Sequence, residues 1–421
     1  MSVYSALVGA LFPASSSQAT TTTDFVSLFV IAGAAVLGPL LSAATRKRIP
    51  DVVWLLILGV VIGPSGFGIA SITDGVDLFR QVGMGMLFLI AGTEVNISEL
   101  HARPGRVAIG TWVACFVLAL AFALWGISTA TVSAAVALAI ALTSTALGTL
   151  IPILMEAGLI GTPAGKAVLV HGAVGELAPV VAMSLLLGTR SPGAAAAVLL
   201  LFVVATLVSV ALPTRFVLRH PGVGRVILRG AQTSSKTLMR VVMLILTGLM
   251  ALSAVLDLDV VLGAFAAGVI VKTLAPVNFS TVESELRTLG FSFLIPLFFV
   301  TSGMNISLKD VIAHPFMLVF FVVAILVVRG VPIVLAERII GSTERQGWRS
   351  AVKLGLYGAT GLPIIVAVTE VAVAESIMPS DIASILVAAG GASVLLFPLL
   401  ASLEDRVPTP RILSRAPKRA R

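Results

Sequence analysis

An all-α protein crossing a membrane many times is the fold class the sequence predicts, and three observations predict it. Of 421 residues, 58% are hydrophobic and only 11% are charged; soluble domains carry about 25% charged residues. Mean hydropathy is +1.08. Apolar runs near the length of a membrane-crossing helix, about 20 residues, recur along the chain. The 38 glycines fit as well, because small residues let helices pack closely in a bilayer.

In chain order, residues 1–23 are Ser/Thr-rich, carry no basic residue and read as a flexible tail. A secretory signal would need a positive start and a longer apolar core. Thirteen apolar stretches follow, at 24–44, 52–69, 79–96, 107–127, 132–155, 163–187, 193–215, 233–254, 260–273, 289–304, 315–336, 347–374 and 380–403. They make one transmembrane domain over 24–403. The loop 275–287, with Glu283, Glu285 and Arg287, is expected to lie along the membrane surface. Residues 404–421 form a basic tail, which next to a bilayer is expected to meet anionic headgroups.

The basic residues test this division. With thirteen crossings and the N-terminus outside, only Arg80, Arg190 and Lys309 of the 28 Lys and Arg fall outside, and Arg329 lies within a span. The other twenty-four fall inside, as the positive-inside rule requires. The sequence therefore predicts an integral membrane protein with its N-terminus outside and its C-terminus cytoplasmic. It also explains the net charge of +8 without nucleic acid. Four histidines and one cysteine show no metal-ligand spacing. No cofactor, no resident metal and no enzymatic activity are expected.

Two charges stand out. Glu176 is the only carboxylate in the stretch 163–187, about halfway along. A carboxylate at that depth costs roughly 2.5–3.5 kcal/mol to insert and usually marks an ion or proton path. Arg329 is the only basic residue in the middle of the stretch 315–336. Arginine keeps its proton in proteins, so an anion is expected nearby, and Glu176 is the candidate. The alternative is a purely structural ion pair or helix–helix hydrogen bond.

Two stretches are interrupted. The fifth contains Thr143, Ser144 and Thr145, with Pro152 beyond them; the twelfth contains Gly358, Ala359, Thr360 and Gly361, with Pro363 beyond. Interrupted segments at corresponding positions of two halves point to a transport site, where broken helix ends offer backbone groups to an ion. The fifth stretch precedes the Glu176 helix and the twelfth follows the Arg329 helix. A carboxylate that binds either a proton or a cation is the least machinery an exchanger needs. His171, five residues before Glu176, is a candidate proton relay. Glu94 and Glu156 read as interfacial, and Glu370 and Glu375 fall toward the outer end.

Four segments resemble the Na+/H+ exchanger domain of the monovalent cation:proton antiporter superfamily, and its Kef-type bacterial branch in particular. They are Leu58–Gly66 (LGVVIGPSG), Met86–Glu94 (MLFLIAGTE), Leu262–Gly268 (LGAFAAG) and Pro296–Met304 (PLFFVTSGM). With the topology they cover roughly 52–374. The resemblance implies two inverted repeats, about span 2 to span 6 and span 8 or 9 to span 12, with crossed discontinuous helices near the midplane. It implies exchange of Na+ or K+ for H+, a homodimer, and a bacterial plasma membrane. Residue by residue, it puts the family's essential carboxylate on Glu176 and its basic residue on Arg329. It puts the ion-coordinating unwound segment on Thr143, Ser144 and Thr145, and the opposite break on Gly358–Gly361. The chain departs from the pattern twice. Glu stands where Asp is usual, and Gly175 stands where the family has an acidic or amide side chain. One acid with an arginine implies electroneutral exchange. Two alternatives stay open: a Na+-coupled organic anion symporter of similar shape, with Arg329 on the substrate, and a non-transporting membrane sensor.

Overall fold

The computed structural model describes residues 16–45, 49–95, 97–126, 131–156, 159, 161–187, 192–219, 237–274, 279–342 and 344–403. These are helical with no strand among them. In order, the helices are α1 (Ser16–Ala44), α2 (Asp51–Ile62), α3 (Asp74–Glu94), the short α4 (Ile97–His101), α5 (Arg103–Gly126), α6 (Val132–Leu142), α7 (Leu147–Glu156), α8 (Pro163–Leu186), α9 (Pro192–Arg219), α10 (Thr237–Val255), α11 (Val260–Leu274), α12 (Phe279–Leu289), α13 (Ile295–Met304), α14 (Leu308–Ala313), α15 (Pro315–Ile325), α16 (Val331–Ile339), α17 (Trp348–Gly358), α18 (Leu362–Ala374) and α19 (Ser380–Leu403). Each of the thirteen apolar stretches is occupied by one helix or an end-to-end pair.

Among the described residues, nine helical segments are long and apolar enough to cross a membrane. Four shorter apolar helices accompany them, including α2, α6 and α11. The first helix begins at Ser16, inside the stretch read as a tail. The basic tail 404–421 and the basic loop 220–236 lie outside the described residues. The loop expected along the surface is helical from Phe279, and it runs into α13 as one bent segment. Its sequence, FSTVESELRTL, is strongly amphipathic, and Glu283 and Arg287 pair at i,i+4.

Two spans carry a π turn with the same origin. Pro296 and Pro332 have no N–H to give the fourth residue back. Just ahead of each, the ladder shifts by one residue: Ile295 N–H donates to Gly290 C=O and Val331 N–H to Leu326 C=O. Such insertions gather at functional sites. Arg329 sits in the second, Leu326–Gly330.

Contacts sort the helices into two groups. One holds α1, α2, α3, α10, α11 and α13; the other holds α5, α6, α8 and α15–α19, with α9 between α8 and α10. Within the first group, α2 packs along α13 as α3 packs along α11. The contacts repeat in detail. A Cβ on Gly59 would run into the backbone of Val300 and Gly303, and one on Gly303 into Leu56. A Cβ on Gly268 would run into Leu89 and Gly92, and one on Gly92 into Phe265. Equivalent residues of the two crossings are offset by 209 to 211 positions: Leu56 and Gly59 answer to Phe265 and Gly268, and Leu89 and Gly92 to Val300 and Gly303. This is the trace of an inverted repeat, with backbones touching where only glycine fits. These four glycines all lie in the segments that carried the family resemblance.

Candidate functional site

The site lies in the second group, where two broken spans cross. Span 5 stops at Leu142 and restarts at Leu147; span 12 stops at Gly358 and restarts at Leu362. Bonds made by three consecutive residues fasten one break to the other. Ser144 Oγ donates to Gly361 C=O at 3.1 Å, Thr145 Oγ1 to Gly358 C=O, and Ala146 N–H to Thr360 C=O at 2.7 Å. Gly361 has to be glycine here, because its Cβ would lie 2.6 Å from Ser144 C=O. Thr143 Oγ1 turns back onto Ala139 C=O at 2.8 Å, and Ser144 Oγ also donates to Ala141 C=O at 2.8 Å. Thr143, Ser144, Thr145 and Thr360 are all buried. Of the hydroxyls that were candidate cation ligands, those of Ser144 and Thr145 thus donate across the crossing, and that of Thr143 donates within its own helix. Thr143 and Ser144 keep lone pairs for a further partner.

Glu176 rides on α8, whose start is set by Thr162. The Thr162 hydroxyl accepts from Gly165 N–H at 3.0 Å, ahead of Pro163 in the first turn. The carboxylate is 3% exposed. Its one hydrogen bond among the described residues is from Leu147 N–H to Oε2, at 3.4 Å. Leu147 opens α7, so the partial positive charge of a helix N-terminus faces the acid. Thr145 N–H donates to Gly175 C=O at 2.8 Å and holds the break against this turn of α8.

Arg329 does not sit on Glu176. No ion pair joins them among the described residues. The guanidinium, with no exposed surface, is spread over three other partners. Nη2 donates to His171 C=O at 2.8 Å, Nε to Thr145 Oγ1 at 3.1 Å, and Nη1 lies 3.8 Å from Cys115 Sγ. The reason is volume. A Cβ on Gly175 would clash with Arg329 Nη2 and lie 2.6 Å from Thr145 Oγ1. The guanidinium fills the space that a side chain at 175 would need. The expected direct counter-charge is replaced by the α7 N-terminus on Glu176 and by neutral acceptors on Arg329.

His171 does not reach Glu176 either. Its Nε2 lies 2.7 Å from Glu337 Oε1, and both side chains are fully buried. Glu337 also accepts from Ser342 N–H at 3.1 Å. This acid escaped the sequence reading because it stands beside Arg338 near a span end, where carboxylates are ordinarily solvated. His171 therefore ties α8 to α16.

Glu94, read as interfacial, is buried and pairs with Arg287 Nη2 at 3.0 Å, while Lys272 Nζ donates to Val95 C=O at 3.0 Å. These groups line a cavity of about 350 Å³ between the two helix groups. Its walls also include Leu147, Ile151 and Ala173, so it ends one residue contact from Glu176. At the other end of α3 the groups are tied together. Arg80 pairs with Asp77 at 2.7 Å and with Glu370 of α18, which accepts from Ser302 Oγ of α13 at 3.3 Å.

The family described as sodium/hydrogen exchanger, transmembrane, matches residues 32–402. Similar proteins include the Putative Na(+)/H(+) antiporter YjbQ of Bacillus subtilis, 24% identical over 75% of this chain and 53% of its own length. Another is the glutathione-regulated potassium-efflux system protein KefC of Klebsiella pneumoniae, 27% identical over 78% of this chain and 52% of its own. The chain thus spans about half the length of the curated relatives it matches. Among solved structures, the sodium proton antiporter MjNhaP1 from Methanocaldococcus jannaschii superposes with a TM-score of 0.62 at 18% identity. That match covers 90% of this chain and 97% of the other, and it establishes a shared fold.

Proposed function

The chain belongs to the transmembrane sodium/hydrogen exchanger family, and on that premise we propose that it is a secondary antiporter exchanging a monovalent cation, Na+ or K+, for H+. The observation that carries this reading is Glu176: one buried carboxylate at the crossing of two broken helices, beside a cavity, with only one weak hydrogen bond. An acid held so loosely is free to take a proton or a cation, and the two exclude each other. Thr143 and Ser144 contribute hydroxyl oxygens to the cation, and Gly358–Gly361 complete the crossing. Arg329 and Thr145 are positioning residues that hold the break in shape. With one acid in play, the exchange is electroneutral.

The cavity beside Glu94 gives access from the cytoplasmic side, and the Arg80–Glu370 pair closes the outer side. The chain then sits in the bacterial plasma membrane, N-terminus outside, with 24–403 as its transport domain. Its dimer forms through the first and middle spans. The anion-symport alternative loses its anchor, since each nitrogen of Arg329 already has a protein contact and the residue does not line the cavity.

Proton release tests the shared site. On adding NaCl or KCl to weakly buffered, purified protein in detergent, roughly one proton per chain is expected to appear, as when any cation displaces a proton from its ligand. Glu176→Gln is expected to release none. Release that survives in the folded variant would move the site elsewhere.

A further inference from the structure

A groove of about 530 Å³ runs between α5 and α16 on the outside of the second helix group. Its floor is apolar, with Gly110, Ala114, Pro332, Leu335 and Ala336. Arg103 and Arg106 stand at one end. Arg103 Nη2 reaches across to Ile340 C=O at 3.3 Å, which bridges the two helices. Neither arginine has a carboxylate within ion-pair distance among the described residues. The bases lining the cavity near Glu94 differ in this respect: Arg287 is neutralised there by Glu94 and Glu283. Two un-neutralised arginines above an apolar slot make an amphipathic receptor. Arginine forks match phosphate oxygens, and basic pockets between transmembrane helices take anionic headgroups.

We propose that this groove binds one anionic phospholipid, its phosphate on Arg103 and Arg106 and an acyl chain against Gly110, Ala114 and Leu335. The site is not empty decoration on the bundle. Ala114 precedes Cys115, and Pro332 follows the π turn that holds Arg329; Cys115 Sγ and Arg329 Nη1 are 3.8 Å apart on the far side of the same two helices. A lipid wedged here clamps α5 to α16 and steadies the Arg329 cluster from behind.

The test compares phosphatidylglycerol, phosphatidylcholine and glycerol phosphate as additives to the full chain in detergent, read by thermal unfolding and by native mass spectrometry. Phosphatidylglycerol is expected to raise the melting temperature and to appear as a retained adduct; phosphatidylcholine is not. Removing both arginines (R103A with R106A) is expected to weaken phosphatidylglycerol binding about 30-fold, from the worth of two basic side chains near anionic headgroups. Arg349→Ala, a base outside the groove, is expected to leave binding unchanged. Gly110→Leu fills the slot without touching charge. A Cβ there meets nothing within 4 Å, so this variant is expected to fold and to lose the adduct. Equal effects of the two lipids, or equal loss in Arg349→Ala, would overturn the site. Undiminished binding in the double variant or in Gly110→Leu would do the same. A shift reproduced by glycerol phosphate would replace the lipid with a free anion and overturn it as well.

Discussion

The two charges at the centre of this protein live in opposite circumstances. Arg329 is well partnered: each of its three nitrogens has a contact, it has no exposed surface, and a glycine opposite makes room for it. Glu176 is starved, with one 3.4 Å bond from the backbone of Leu147 and a cavity nearby. A well-partnered polar group inside a bundle fixes structure. A sparsely partnered one retains the capacity to bind. In the exchange we propose, the contrast gives shape to the arginine and exchange to the acid, although the sequence presents both as lone mid-span charges.

The largest expected effect breaks the well-partnered side. Arg329→Met strands the His171 carbonyl and the Thr145 hydroxyl, and is expected to cost at least about 3 kcal/mol, two charge-assisted bonds at roughly 1.5–3 kcal/mol each. Arg329→Lys recovers only part of this, since an ammonium cannot reproduce the fork. Thermal unfolding in detergent checks both. Gly175→Ala pushes a methyl into the guanidinium, and overpacking of this kind is expected to cost about 1–3 kcal/mol. Restoring an acid at 175 is therefore expected to damage the crossing rather than add a second ion ligand. Ser144→Ala removes one fastening between the breaks, and about 1 kcal/mol is expected.

The smallest stability effect is expected at the Arg80–Glu370 tie. Both side chains are partly exposed, and pairs of that kind contribute about 0–1 kcal/mol. Glu370→Gln is expected to leave the melting temperature nearly unchanged while speeding thiol labelling of a cysteine placed at Ser302. Unchanged labelling would remove the tie from the closed side. On the starved side, Glu176→Gln is expected to shift stability by less than about 1 kcal/mol, because the amide oxygen still accepts from Leu147 N–H. A loss as large as that of Arg329→Met would erase the contrast.

Much of this was legible in residues alone. The breaks announced themselves, because Thr-Ser-Thr and Gly-Ala-Thr-Gly cannot continue an apolar helix without a reason. The motif glycines, Gly59, Gly92, Gly268 and Gly303, proved to be backbone contacts between helices. The pairing of charges was not legible. Sequence gives depth in the membrane but not direction around a helix, so Arg329 and Glu176 looked like partners. Gly175 held the clue as an absent side chain, but only the fold reveals what occupies the vacated space. Glu337 was hidden by its neighbour Arg338 near a span end, and α12 by charges that shortened its apolar run.

The most direct measurement is cation-driven proton flux in proteoliposomes. An imposed pH gradient is challenged with Na+ and then K+, for the native chain and for Glu176→Gln with its folding verified. Dissipation of the gradient by one of these cations in the native chain, absent in the variant, is the expected result. Dissipation that persists undiminished in Glu176→Gln would contradict the assignment of exchange to this carboxylate.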